Sequence, residues 1–358
     1  MLLITGLRLG GAEQQVAALA RQFAALGHAI AVVSLTPGCE VDLPKDIQTL
    51  RLDIKKSPQS MVSTLWRVRS LVQAWRPDVI HAHMVHANLF ARTLTLVCAV
   101  PTTICTAHSI YEGGKLRMLA YRLTDRWANL TTHVSTEGRR RMIELGAVTA
   151  GRIIVIPNGI DTSRYHLDAE IRAAARASLG IGAEDKLIVN VGRLIPDKAQ
   201  AVLLDAFSLV APKSGAILMI AGEGPDRAAL EQQIARLGLA GKAILLGKRH
   251  DIPALLNAAD LFVLSSVIEG MPLVVGEALA CGCPVVATDA SGVADVLTGV
   301  GRIVDRGNVQ ALASAMCEAL ASGRGQVIQQ LARHQHIASH FNIEAIASQW
   351  IGHYARHH

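Results

Sequence analysis

A chain of 358 residues is long enough for two domains of ordinary size, each with its own core. With 51% hydrophobic and 18% charged residues it is too apolar for a disordered chain, yet no apolar run reaches the roughly 18 residues a membrane span requires. The net charge of +6 is lopsided, with 19 Lys and Arg against 11 Asp and Glu in residues 1–165 and 16 against 18 in the remainder, so the first half suits an anionic partner. With 4% aromatic residues and no recognition motif, that partner is read as a phospholipid surface or a diphosphate-linked substrate and not as nucleic acid.

The opening MLLIT reads as a buried strand without the basic flank of a signal peptide, which points to a cytoplasmic protein. Gly6 to Glu13 is a glycine-bearing turn into an amphipathic helix that ends near Gly27, the opening unit of a doubly wound α/β domain. The glycines at 6, 10 and 11 do not make G-x-G-x-x-G, and the next strand, Ala29–Leu35, lacks a terminal acid, so no dinucleotide site is expected. Gly10 and Gly11 suit either a close backbone approach to phosphate or a plain tight turn. Strands and helices then alternate: Asp46–Leu52, a helix over 59–75, Val79–His81, a helix over 88–98, and Thr102–Ala107. His108 and Ser109 follow at the carboxyl edge, where such folds bind ligands; position is the only intrinsic reason to single out His108, and His81, His83 and His86 are equally eligible.

Glu112 to Trp127 reads as a basic amphipathic helix behind Gly113-Gly114. Leu116, Leu119, Leu123 and Trp127 mark an apolar face whose default use is packing on the domain's own sheet, and whose alternative is an interface with anionic lipid. Leu130–Val134, a helix holding Arg139–Arg141, and Ile153–Ile156 complete a first domain, taken as residues 1–165. After Pro157–Asp161 a polar connection is expected to run to about Gly182. Strands resume at Leu187–Val191, Ile217–Ala221, Ala243–Leu246, Leu261–Leu264 and Val285–Thr288, defining a second domain over 166–342. A last helix, about 343–356, follows; the closing His357 and His358 carry no reading. The six cysteines lie in apolar surroundings, and Cys281-Gly-Cys283 is not a zinc spacing, so free thiols are expected.

Ser265 to Pro284 concentrates the chemistry. Pro272 suits a first helical position, which leaves the amides of Leu273 and Val274 pointing out of the helix start toward an anion. Glu277 then lies roughly 7 to 8 Å along the axis, near the span from a diphosphate to a ribose. Taken singly, Glu277 reads as a buried carboxylate paired with a distant Arg and Glu269 as a solvated loop residue. Arg193 and Lys198, just past a strand end with Gly192 giving room, suit a diphosphate, although surface charge is the plain reading of each alone.

Together these segments resemble the family 4 retaining glycosyltransferases, and bacterial surface-polysaccharide enzymes among them. Glu269-x7-Glu277 with Gly270 and Pro272 between, G-R-L-x-x-x-K over Gly192 to Lys198, GEGPD from Gly222, the segment from Gly247 to Ser266, the Gly10-Gly11 loop and TAHS carry the likeness. The resemblance implies an α/β GT-B fold, two Rossmann-like domains facing each other across a cleft, with the last helix, 343–358, crossing back to the first domain. It assigns Glu269 to the donor sugar, Glu277 to the ribose hydroxyls and Arg193 and Lys198 to the diphosphate. Lys248 and Arg249 fall beside the base, Gly270, Met271, Leu273 and Val274 around the nucleotide, and His108 in the catalytic cleft. Ala199 departs from the family's glycine after Lys198 and affects loop geometry, not charge.

The function implied is a retaining transfer of a hexosyl or N-acetylhexosaminyl group from a nucleotide sugar, a UDP-sugar ahead of a GDP-sugar, to a glycan acceptor on a polyprenyl diphosphate during surface-polysaccharide synthesis. Without an Asp-x-Asp motif, no metal and no cofactor are expected; cationic side chains and a helix start would stabilise the leaving diphosphate. The carboxylates are binding groups, not a glycosidase acid/base pair. Alternatives are a nucleotide-sugar epimerase on the same architecture and a non-catalytic module that binds sugar nucleotide or a membrane surface. The expected location is cytoplasmic, on or near the inner face of the membrane.

Overall fold

The computed structural model describes residues 1–8, 10–55, 57–110 and 113–357, so Glu112 at the head of the expected basic helix and the terminal His358 lie outside the described residues. In the first array, β1 (Leu2–Ile4), α1 (Gly11–Ala25), β2 (Ala31–Ser34), β3 (Gln48–Arg51), α2 (Pro58–Trp75), β4 (Val79–His83) and α3 (Val85–Leu94) are followed by β5 (Thr102–Ala107), α4 (Lys115–Thr124), β6 (Leu130–His133), α5 (Thr136–Glu144) and β7 (Ile153–Val155). The strands form one parallel sheet in the order β3-β2-β1-β4-β5-β6-β7. The order reverses between β1 and β4, which makes their carboxyl ends the switch point where open α/β sheets bind ligands.

The second array runs α6 (Ala169–Ser178), β8 (Leu187–Val191), α7 (Gln200–Ser214), β9 (Ile217–Ala221), α8 (Arg227–Arg236), β10 (Ala243–Gly247), α9 (Ile252–Ala258) and β11 (Leu261–Leu264). It continues with α10 (Leu273–Ala280), β12 (Val285–Thr288), α11 (Val293–Leu297), β13 (Arg302–Val304), α12 (Val309–Ser322) and α13 (Val327–His340), and α14 (Ile343–His357) closes the chain. Its sheet, again parallel, has the order β10-β9-β8-β11-β12-β13, with the switch point between β8 and β11. Two compact units result: Met1–Gly159 with Ile343–His358, and Ile160–Asn342.

Residue alternation along the strands builds the layers of the first unit. Leu2 and Ile4 face one core with Val16, Leu19 and Phe23 of α1 and Ile346 and Trp350 of α14. Leu3, between them, faces the other with Val68 and Val72 of α2 and Phe90 and Leu94 of α3, as the two-residue period of a strand requires. The core of the second unit gathers Leu203, Phe207 and Val210 of α7 with Ile188, Leu218 and Val263 of its strands.

Three local expectations change. The stretch before Gly182 is not only a polar connection. It holds α6, whose N-cap Asp168 accepts from the amides of Glu170 and Ile171, and Arg172 and Arg176 bind Asp260 at 2.6 and 3.0 Å, ion pairs the local sequence does not reveal. The helix expected over 59–75 begins at Pro58 with Ser57 as its cap, while the one expected over 88–98 sits at Val85–Leu94. The thiols are free, but Cys39 is exposed, because it lies in the loop after β2 and not in an apolar core.

Candidate functional site

In the second unit the predicted residues collect at the carboxyl ends of β8, β9 and β11. Gly192 and Arg193 follow β8 directly, and the amide of Gly192 donates to Ala221 O at 3.0 Å. Gly222, after β9, has φ +153, and a Cβ there would lie 1.8 Å from Gly192 O, so only glycine lets the two loops pass. Leu194 N donates to Glu223 O at 2.9 Å and Asp226 N to Leu194 O at 3.1 Å, stitching the loops together. Arg193 is exposed, its backbone carbonyl held by Gln200 Nε2 at 3.0 Å.

Lys198 closes a short turn that tertiary bonds hold from both sides. Its carbonyl accepts from Ser265 Oγ at 2.8 Å, and Asp197 O accepts from Val267 N at 2.9 Å. Its ammonium donates to Glu269 Oε1 at 2.5 Å. Glu269 is only 9% exposed, so this residue, read singly as a solvated loop carboxylate, is a buried partner of Lys198. Ala199, where the resemblance has glycine, sits in the left-handed region at φ 47.

The loop from Glu269 through Gly270 and Met271 leads into α10. Gly292, φ +74, packs so closely that a Cβ would meet Gly270 O at 2.1 Å. Pro272 is the cap with extended backbone, not the first helical residue, because the helix begins one residue later; Val275 N reaches Pro272 O at 3.2 Å. Leu273 and Val274 therefore occupy the first two helical positions, whose amides an α-helix leaves without helical partners. Glu277 lies one turn further along α10 and is half-buried. Its partner is the hydroxyl of Tyr165, with Arg164 nearby, in place of the single distant Arg expected. Burial pushes the Glu277 carboxyl up to about 7, against the pull of Tyr165 and Arg164. The Tyr165 hydroxyl is pushed up as well, by burial and by Glu277. Lys248 is exposed after β10, whereas Arg249 is committed to Asp251, with Nε 2.8 Å from Oδ1.

In the first unit, Gly10 and Gly11 stand at the start of α1. Gly10 has φ −172, ordinary extended backbone, and Glu13 folds back over it. His108 follows β5, its Nε2 3.0 Å from His83 Nδ1. Gln15, His83, His108, Asn158 and Trp350 line one small cavity at the switch point. Sequence reading missed Gln15 and Tyr165 and left His83 as one of three equal candidates. A signal existed for Gln15, a buried polar residue on the apolar register of α1 that accepts from Gly159 N at 3.1 Å. Nothing local could pair Tyr165 with Glu277.

Both arrays are similar to known proteins. Residues 9–164 match the model of the Glycosyltransferase Family 4 domain, and residues 185–322 that of Glycosyl transferases group 1. The lipopolysaccharide core biosynthesis mannosyltransferase LpsB of Rhizobium meliloti is 28% identical over 322 residues, 86% of this chain and 83% of its own. The Escherichia coli UDP-Gal:alpha-D-GlcNAc-diphosphoundecaprenol alpha-1,3-galactosyltransferase is 26% identical over 67% of this chain, and the match spans 64% of its own length, under two thirds. Among solved structures, HepE of Anabaena in complex with UDP superposes with a TM-score of 0.86 at 23% identity, covering 99% of both chains. A parallel sheet in each unit, the overall likeness to GT-B structures and the two domain matches lead to one assignment: the chain belongs to glycosyltransferase family 4, with the GT-B fold and bacterial surface-polysaccharide glycosyltransferases among its relatives.

Proposed function

We propose that the protein transfers a hexosyl or N-acetylhexosaminyl group, with retention and without a metal, from a nucleotide sugar to a glycan growing on a polyprenyl diphosphate. The observation that carries this reading is the 2.5 Å contact of Lys198 with Glu269 beside the start of α10. An ammonium has three donors, so Lys198 can keep Glu269 with one and offer the others to a diphosphate. Arg193 adds a forked cation, the amides of Leu273 and Val274 add helix-start donors, and together they stabilise the charge that develops on the leaving group. Glu269 accepts from a hydroxyl of the donor sugar and Glu277 from the ribose. The bond from the anomeric carbon to the diphosphate oxygen breaks as the bond to the acceptor oxygen forms on the same face, and the acceptor proton passes to the departing diphosphate. HepE, a structural neighbour crystallised with UDP and with UDP-glucose, favours a UDP-sugar over a GDP-sugar.

A lipid-linked acceptor is supported by the surface of the first unit. The face of α4 that packs inward is Met118 and Tyr121, whereas Leu116, Leu119 and Leu123 are 83%, 49% and 62% exposed, the reverse of the default expected for them. Lys115, Arg122 and Arg126 flank them. On α2, which like α4 contacts α3, Met61, Val62 and Trp66 are exposed and Arg69 lies 5.1 Å over the Trp66 ring. Apolar side chains among cations suit an anionic bilayer surface. Among the described residues no helix is long and apolar enough to cross a membrane.

The test is to incubate the purified protein, with chelator present, with a panel of UDP- and GDP-sugars and polyprenyl-diphosphate-linked acceptors. The expected result is acceptor-dependent transfer with the donor's anomeric configuration. Sugar interconversion without acceptor would favour the epimerase reading, binding without turnover the module reading, and restoration only by Mg²⁺ or Mn²⁺ would overturn metal independence.

A further inference from the structure

Asp161 opens a turn of the second unit that its own side chain and carbonyl fix from inside. Oδ1 accepts from Ser163 N and Arg164 N, each at 3.1 Å, and the carbonyl accepts from Tyr165 N at 2.8 Å. The turn is also anchored at its base. Ile160 N donates to Phe341 O at 2.6 Å, and Thr162 Oγ1 accepts from Asn342 Nδ2 at 2.8 Å. Ile160 packs on α10 so closely that a Cβ on Gly276 would lie 2.9 Å from Ile160 Cδ1. To the next residue of α10 this turn delivers a hydroxyl: the buried Tyr165 bonds to the Glu277 carboxyl, and the Arg164 guanidinium lies 5.4 Å over the Tyr165 ring.

An ionised carboxylate has two oxygens and only accepts. Tyr165 supplies one hydrogen bond, Arg164 acts on Glu277 through its charge, and the carboxyl has no further hydrogen-bond partner among the described residues. Glu277 is half-buried and not sealed, so its second oxygen is left for a ligand. As a device for stability the pair is poor, because burial holds the carboxyl up at about 7 although Tyr165 and Arg164 pull it down. The hydroxyl itself stays protonated, pushed up by burial and by Glu277, so Tyr165 is the donor whenever Glu277 is ionised. Of the other elements packed on α10, α13 brings Arg333 and His334, which bind the carbonyls of Gly282 and Ala280, and α11 carries Asp295. Burial pushes up the thiol of Cys281 at the end of α10, while α9, β11 and β12 carry no titratable side chain.

We infer that Tyr165 is a positioning residue for nucleotide recognition: its hydroxyl holds one oxygen of Glu277 and leaves the other, as part of a carboxylate, to accept from a ribose hydroxyl. That Glu277 meets the ribose rests on the proposed function; the pairing with Tyr165 does not. A protonated carboxyl makes the weaker contact, so nucleotide binding releases a proton from Glu277 to solvent, and recognition of the ribose strengthens as pH rises through about 7.

Comparing UDP with its 2′,3′-dideoxy analogue, and GDP with its own, isolates the ribose hydroxyls, because each pair carries the same diphosphate and the phosphate's titration cancels. Calorimetry of the full-length protein is expected to show the ribonucleotide preferred at least about tenfold near pH 8, and the preference shrinking several-fold by about pH 6. No preference, or one independent of pH, would overturn the carboxylate contact. In Tyr165→Phe the preference at about pH 7 is expected to be about fivefold smaller and to return for the most part by about pH 9, with affinity for the dideoxynucleotide unchanged. A loss shared equally by both nucleotides would mean that Tyr165 only supports the fold. Without any ligand, ¹³C NMR of glutamate-labelled protein, with Glu277→Gln identifying the signal, is expected to show the Glu277 carboxyl titrating about one pH unit higher in Tyr165→Phe, and an unchanged midpoint would refute the pairing. If that variant fails to fold, the ring ¹³Cζ signal of Tyr165 in the labelled parent, expected to move with the Glu277 titration, still decides. If none of these nucleotides binds, the proposed function fails with the ribose contact, and the carboxyl titration alone decides the pairing.

Discussion

At Glu277 the protein keeps a carboxyl where folding alone disfavours a charge. In the unfolded chain it titrates near 4.5, in the folded protein near 7. Between those values the folded state holds the extra proton, so stability falls as pH rises from about 4.5 to about 7 and levels off above. Glu277→Gln is expected to raise stability at pH 8 by about 1–3 kcal/mol, the lower end reflecting its partial exposure, and to change little at pH 4. Chemical denaturation of both proteins across that range checks it. The same variant is expected to bind nucleotide sugar more weakly, because an amide replaces a charged acceptor; stability gained and binding lost together is the pattern of a functional residue. The carboxylate was visible in the sequence, but its hydroxyl partner Tyr165 was not, since that pairing exists only once the chain has folded.

The turn from Gly192 to Ala199 presents Arg193 and Lys198, and its last residue sits at φ 47 without being glycine. An alanine there is strained by about 1 kcal/mol, and Ala199→Gly, though it frees the unfolded chain, is expected to leave stability equal or higher by up to about 1 kcal/mol. A loss of more than that in thermal unfolding would show that the turn is not left-handed. The second element is α4, whose exposed leucines and flanking cations support docking to lipid. Replacing Lys115, Arg122 and Arg126 by Gln is expected to remove on the order of 1 kcal/mol of attraction to anionic liposomes per residue, less at high salt, with donor binding kept. Unchanged co-sedimentation would mean that α4 does not dock. Its spacing was readable in the sequence, but which stripe faces inward was not, because Met118 and Tyr121 compete with three leucines of the same period.

For the whole molecule, the feature of consequence is that the first unit is built from both ends of the chain. Trp350 of α14 is 2% exposed in the core that α1 shares with the sheet, and Tyr354 binds His81. Trp350→Ala is expected to cost about 3–5 kcal/mol by leaving a cavity in that core, with the second unit's own core untouched. Hydrogen exchange should then show lost protection in β1, α1 and β4 and little change in β8 and β9. Equal loss in both units would contradict this division of the chain.

The amino-acid sequence by itself determined the alternation of strands and helices and the doubly wound class, because periodicity and turn chemistry are local properties, whereas Arg193, Lys198, Glu269 and Glu277 stood out as a set only by resemblance to the family. Only the tertiary structure decided which of those groups meet. The loops of β8, β9 and β11 come together through backbone bonds and glycine contacts between strands that are neighbours in the sheet and distant in sequence. The same holds for His83 against His108, for Tyr165 against Glu277, and for the exposed face of α4. Side-chain partnership across a parallel sheet follows strand order, which no local pattern encodes.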